Sequence, residues 1–167
     1  MSELVERFHV QTRQVGECGS DEVSLTYDTI NVIALIDQAR SPSAGAVSNF
    51  IGTTRDNFEG KEVTHLEYEA YPEMAMAAML EICSKARDQW SLIHIRIQHK
   101  LGPCPISDVS IAVVISSEHR KDSLEAVHFA IDELKSTVPI WKKEFYGEGG
   151  AVWKNNAEDK AKQAALS

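Results

Sequence analysis

Residues 109–144 read VSIAVVISSEHRKDSLEAVHFAIDELKSTVPIWKKE. The run from Val109 to Ser117 is almost continuously apolar, which suits a central strand buried on both faces. EHRKD follows without a break, and Ser123 to Val138 then carries helical periodicity. Pro139 cannot continue a helix, so IWKKE starts a new extended segment. A strand buried on both sides, running straight into an amphipathic helix, calls for helices packed on a sheet.

Working outward, IWKKEFYGEGGAVWK reads as a hairpin turning around Gly147, Gly149 and Gly150. Upstream, LIHIRIQH alternates and predicts a strand, followed by a turn at KLGPCPISD. PEMAMAAMLEICSKARDQW is a helix opened by Pro72, with Met76, Met79, Leu80, Cys83 and Ala86 on one stripe. VTHLEYEAY suits a half-exposed strand, NFEGKE a turn, and AGAVSNFIG another strand that runs into a polar loop. TINVIALIDQAR ends in a short helix that SPSAG stops. Residues 1–28 are polar and weakly patterned, with a short strand at Glu6 to Gln11 and a loop at GECGSDE; the tail NNAEDKAKQAALS is frayed or a terminal helix. The order βαββαββαββ predicts an α+β sandwich.

The chain has 167 residues, 43% of them hydrophobic, and a formal net charge of −8. One domain with a sizeable core is expected. The charge argues against a nucleic-acid or membrane-surface binder, because phosphate affinity comes from many cations acting together. The first residues lack the apolar region of a secretory signal, and no stretch approaches the length of a membrane span. Cys18, Cys83 and Cys104 are odd in number and widely spaced, without zinc-ligand grouping, so a reduced intracellular compartment is expected.

Lysine placement stands out against that background. With Leu124 at zero on a helical wheel, Val127, Ile131, Leu134 and Val138 fall within roughly 80° to one side, and Lys135 roughly 20° to the other. Lys135 therefore maps to the buried face. Two readings remain open: a last-turn cation that snorkels out of an apolar surface, or an amine aimed into a pocket where it can donate or accept a proton. Lys142 would enter the same pocket from the following strand, and Lys143 would point away.

His119 and Arg120 sit where the apolar strand meets the helix, a position suited to an anionic oxygen. Alternatively, Asp122 or Ser123 caps the helix and the pair is solvated. Arg55, after another strand end, is an anion ligand or a surface ion-pair partner. GTTRDNFEG contains no nucleotide-loop motif. His65, His94 and His99 read as satisfied or exposed, and Glu67 with Glu69 as a solvated strand face. Cys104 between two prolines reads as a turn residue, with a persulfide carrier as the alternative.

Taken in order, GAVSNFIGTTRDNFEGKEVTHLEYEAYPEMA, HKLG, SSEHR, SLEAVHFAIDELKSTVPIWKKE and VWK resemble the large subunit of molybdopterin synthase, especially its eukaryotic branch. The match runs from about residue 44 to 154, within a family domain over 29–154, and residues 1–28 and 155–167 match poorly. The resemblance implies an α/β hammerhead-type α+β fold with an additional antiparallel β subdomain. It implies a sulfurtransferase of the cytosol that converts precursor Z, cyclic pyranopterin monophosphate, into the dithiolene of molybdopterin. The sulfur arrives as a thiocarboxylate on a small ubiquitin-like subunit. Two large subunits form a homodimer with a small subunit at each end, a heterotetramer, and no cofactor, metal, nucleic acid or membrane is implied.

Position by position, Lys135 and Lys142 match the family's active-site lysines, His119 and Arg120 its His-Arg pair, and Arg55 its loop arginine. The resemblance implies that Arg55, His119 and Arg120 hold the pterin and its phosphate, partly across the dimer interface. Lys135 and Lys142 would bind substrate, orient the thiocarboxylate and act as acid and base. Glu118 stands where a small residue is usual, and Lys100 where an arginine is. A noncatalytic scaffold for a ubiquitin-like tail is the competing reading, and it would not require the lysine and His-Arg positions that this chain retains.

Overall fold

The computed structural model describes residues 8–147 and 149–155. In chain order these form β1 (Phe8–Val15), β2 (Gly19–Thr26), α1 (Val32–Ala39), β3 (Ala46–Thr53), β4 (Asn57–Phe58), β5 (Lys61–Ala70) and α2 (Pro72–Gln89). There follow β6 (Leu92–Lys100), β7 (Gly102–Pro105), β8 (Val109–Ser117), α3 (Arg120–Thr137), β9 (Ile140–Tyr146) and β10 (Ala151–Asn155). One sheet has the order β1-β2-β6-β8-β3, with β2 and β6 parallel and the other pairs antiparallel. The second sheet runs β10-β9-β5-β4, with β7 also paired to β5, and is antiparallel throughout. The α+β class expected from the sequence is the class observed, with the second sheet as its added β subdomain.

The apolar run of β8 is continuous because both of its faces are covered. On one side Val113 and Ile115 join Met79, Cys83, Ala130 and Leu134 from α2 and α3. On the other, Ala112 and Val114 meet Ile30, Leu35 and Ala39 around α1. Asn31 caps α1 by accepting the Ala34 N–H at 3.1 Å. In α2 the stripe of Met76, Met79, Cys83 and Ala86 is buried as the spacing predicts, with Leu80 half-buried against it.

The N-terminal region departs from the sequence expectation. Instead of a loop at GECGSDE, only Gly16 to Cys18 turn, and Gly19 opens a strand at the heart of the sheet. Val23 and Leu25 on β2 are fully buried, but so are Asp21, Ser24 and Thr26, and polar residues on an enclosed strand hide its alternation. Asp21 is accommodated because Arg13 Nε donates to it at 3.0 Å from β1 and Arg87 Nε at 2.9 Å from α2. Glu6, where the expected strand began, lies outside the described residues, as does the tail beyond Asn155.

Two expected turns also carry strands. Glu59 and Gly60 have φ of 49° and 78°, the doubly positive geometry of a tight hairpin turn, and this lets Asn57 and Phe58 pair back onto β5. Gly102 to Pro105 pairs with β5 in spite of its prolines, because a strand paired along one side leaves its other edge free of the ladder. Lys100 is buried and paired with Asp108. Among the described residues no helix is long and apolar enough to cross a membrane.

Candidate active site

The second sheet, the end of β3 and the last turns of α3 enclose a cavity of about 630 Å³. Arg55, Lys135 and Lys142 all line it, so the structure brings together three of the five residues singled out in the sequence. Arg55 comes from the loop after β3, Lys135 from the last turn of α3, and Lys142 from β9.

Lys135 is exposed, contrary to the buried position the wheel gave it. The reference residue explains the error, since Leu124 is itself 57% exposed. The stripe that faces the sheet is centred on Ala126, Val127, Ala130, Ile131 and Leu134, about 80° away from Leu124. Lys135 consequently falls on the rim of the buried stripe, at the cavity mouth, where a cation also suits the helix C-terminus. Strand alternation works as expected on β9. Lys142 and Glu144 face the cavity, while Lys143 lies on the outer face with its ammonium 5.2 Å from the rings of both Phe145 and Trp153.

His119 and Arg120 are not part of this cavity. They lie at the N-terminal end of α3, and fifteen residues at 1.5 Å each put Arg120 about 22 Å from Lys135 along the axis. His119 is 81% exposed, and its Nε2 is 3.7 Å from Glu118. The helix begins at Arg120, ahead of both Asp122 and Ser123, the expected caps. Its start is secured instead by Ser117, whose hydroxyl accepts the Ser123 N–H at 3.1 Å and donates to the His119 carbonyl at 2.7 Å. Gly45 is required beside this turn, since a Cβ there would sit 2.3 Å from the Glu118 carbonyl oxygen.

Several cavity residues were not singled out from the sequence. Glu144 is buried and takes a hydrogen bond from Tyr146 at 2.5 Å, with Lys154 Nζ at 2.9 Å and Lys142 Nζ at 3.4 Å. Burial pushes its carboxyl pKa up, but these hydrogen bonds and the two ammonium charges outweigh burial and hold it below the usual value. Donation to Glu144 pushes the Tyr146 hydroxyl up to about 12. The alternation that placed Lys142 also places Glu144, and Lys154 is the register partner of Lys142 across β9 and β10.

His99 and Tyr68 lie on the cavity floor. Both fall within motifs of the family resemblance, HKLG and LEYEAY, but the residues alone read His99 as satisfied or exposed and give Tyr68 no role. Burial pushes His99 down to about 4 and Tyr68 up to about 12. Between the ordinary value of 6.5 and about 4, the unfolded chain holds a proton on His99 that the folded chain does not. Its contribution to stability is therefore complete above pH 6.5 and is lost as pH falls toward 4, by roughly 2 kcal/mol over the drop from about pH 7 to about pH 5. Urea unfolding at the two pH values should show this loss in the parent and a smaller one in His99→Gln. Equal slopes in the two proteins would contradict a neutral buried His99.

Cys104 is buried, with its thiol 3.3 Å from Thr54 Oγ1, and burial raises its pKa, which does not suit a persulfide carrier. Among the described residues no group of side chains could hold a metal ion.

The family model described as MoaE protein matches residues 25–137. The molybdopterin synthase catalytic subunit 1 of Aedes aegypti is 53% identical over 139 residues, covering 81% of this chain and 90% of that protein. The X-ray structure of molybdopterin synthase from Staphylococcus aureus is similar at a TM-score of 0.74 and 34% identity, over 78% of this chain and 94% of that one. A protein-protein complex of subunits 1 and 2 of molybdopterin-converting factor from Helicobacter pylori shares the fold, with a TM-score of 0.65 at 21% identity over 77% of this chain and 87% of that one. The chain belongs to the MoaE family, whose members are the catalytic subunits of molybdopterin synthase.

Proposed function

We propose that this chain is a sulfurtransferase that moves sulfur from the thiocarboxylated C-terminus of a small ubiquitin-like subunit to precursor Z, forming the dithiolene of molybdopterin. The observation that carries the reading is the convergence of Arg55, Lys135 and Lys142 on one cavity of a chain whose net charge is −8. Such a cavity suits a thiocarboxylate and a phosphate, both anionic, and lowers the barrier where negative charge develops as sulfur adds. Lys135 and Lys142 orient the thiocarboxylate and exchange protons as the phosphate ring opens, and Arg55 holds the phosphate. Among the described residues no cysteine lines the cavity, in keeping with sulfur that arrives on a partner. The complex of two subunits in Helicobacter pylori supports such a partner, and the unpaired cysteines support the cytosol as the compartment.

His119 and Arg120, about 22 Å from Lys135 along α3, serve the site of a second copy in this reading. The assembly is then a homodimer with a small subunit on each chain. Incubating the purified chain with the thiocarboxylated partner and precursor Z tests the activity; a complex that assembles without forming dithiolene would favour the scaffold. Mixed dimers test the geometry. Lys135→Ala and Arg120→Ala should each be inactive alone, and refolding the two together should recover activity through the one intact site of the hybrid. Absence of recovery would place His119 and Arg120 outside the active site.

A further inference from the structure

Beneath its cationic mouth the cavity has a neutral polar floor that the chemistry above does not use. Tyr68, His99 and Ser110 line it and are 7%, 3% and 6% exposed. His99 Nδ1 is 2.7 Å from the Lys100 carbonyl oxygen, which can only accept, so Nδ1 carries the proton and Nε2 keeps its lone pair. Among the described residues, no hydrogen bond occupies that lone pair. The Tyr68 ring meets His99 edge-on at 4.9 Å, with its hydroxyl beside Ser110. Ser110 gives its own proton to the Gly52 carbonyl at 3.2 Å. That proton is not available to Tyr68, whose phenolic O–H turns about one bond and can donate into the cavity it lines.

A fixed acceptor beside a donor is the complement of an amide, N–H to His99 and C=O to Tyr68. Register says which amide is in reach. Lys154, Lys142 and Tyr68 are successive partners across β10, β9 and β5, so Tyr68 lies one strand spacing, about 4.8 Å, from Lys142. An extended residue spans about 3.5 Å. A chain whose terminal carboxylate rests at Lys142 thus lays its last peptide unit over Tyr68 and His99. We propose that His99 and Tyr68 form an amide-reading subsite that positions the C-terminal peptide unit of the partner's tail; this rests on the sulfur-transfer reading for the identity of the ligand. The lactam edge of a pterin offers the same chemistry from a second source.

The test uses His99→Met, His99→Gln and Tyr68→Phe, with the carboxylate-ended small subunit and a form lacking its last two residues. His99→Met and Tyr68→Phe should each weaken the full-length partner about tenfold and leave the truncated one unchanged, and glutamine, which restores an acceptor, should recover the loss. The truncated partner also reports whether each variant is folded. In the ¹⁵N-labelled parent, the His99 Nε2 resonance should move upfield with the full-length partner only. A raised KM for precursor Z with unchanged tail affinity would assign the subsite to the lactam. Parental tail affinity, KM and Nε2 resonance in both His99→Met and Tyr68→Phe would overturn the proposal. Absence of turnover in the parent would instead strike the sulfur-transfer reading and leave the tail measurements readable.

Discussion

Replacing Lys135 with alanine is expected to lower dithiolene formation by about 10²–10⁴-fold while the complex with the small subunit still assembles. Lys135 stands exposed at the cavity mouth, and among the described residues no ion pair or hydrogen bond holds its ammonium. Its removal therefore costs the fold little, and the loss should appear in the chemical step. Lys142 makes a less clean probe, because its Nζ is 3.4 Å from Glu144 and its deletion also disturbs that carboxylate. Lys135→Arg separates charge from proton transfer, since a guanidinium keeps the first and not the second. Single-turnover assays beside gel filtration of the complex make the comparison, and near-normal turnover in Lys135→Ala would end the assignment.

The second large effect lies far from the cavity. Asp21→Asn is expected to destabilise the fold by about 2–3 kcal/mol, because it leaves the largely buried Arg87 facing a neutral group, while Arg13, 37% exposed, is partly solvated and adds less. Asp21 is fully buried and ties three elements together, β2 through its own backbone, β1 through Arg13 and α2 through Arg87. Arg96 adds to the local positive charge and is itself buried against the Ser20 and Gln38 carbonyls. Denaturant unfolding of parent and variant measures the loss directly. A change below about 1 kcal/mol would mean that solvent reaches the site and solvates the arginines in place of the carboxylate.

Both effects bear on what can be read from residues in order. Local periodicity is legible because it reflects neighbours along the chain. The run at 109–117 announced a doubly covered strand, the stripe from Met76 to Ala86 a core-facing helix, and IWKKE the separation of Lys142 from Lys143. The α+β class followed from such segments. Where a strand buries polar groups the pattern fails, as on β2, where Asp21, Ser24 and Thr26 are all buried and Asp21 is satisfied by arginines on two other elements. The error at Lys135 has a related cause, since a wheel fixes only relative angles and its zero must be supplied by whatever the helix packs against.

The sequence by itself determined which side chains share a face, that one cavity-facing strand carries Lys142, and that the ordered motifs belong to one family. Tertiary structure alone decided that Arg55, Lys135 and Lys142, spread over 88 positions, line one cavity, that Glu144 is held among Lys142, Lys154 and Tyr146, and that His99 and Tyr68 close its floor. It also separated the His119–Arg120 turn from that cavity by most of the length of α3. The physical reason is that periodicity fixes directions within one element, whereas desolvation, ion pairing and hydrogen-bond completion depend on what other elements bring within a few ångströms.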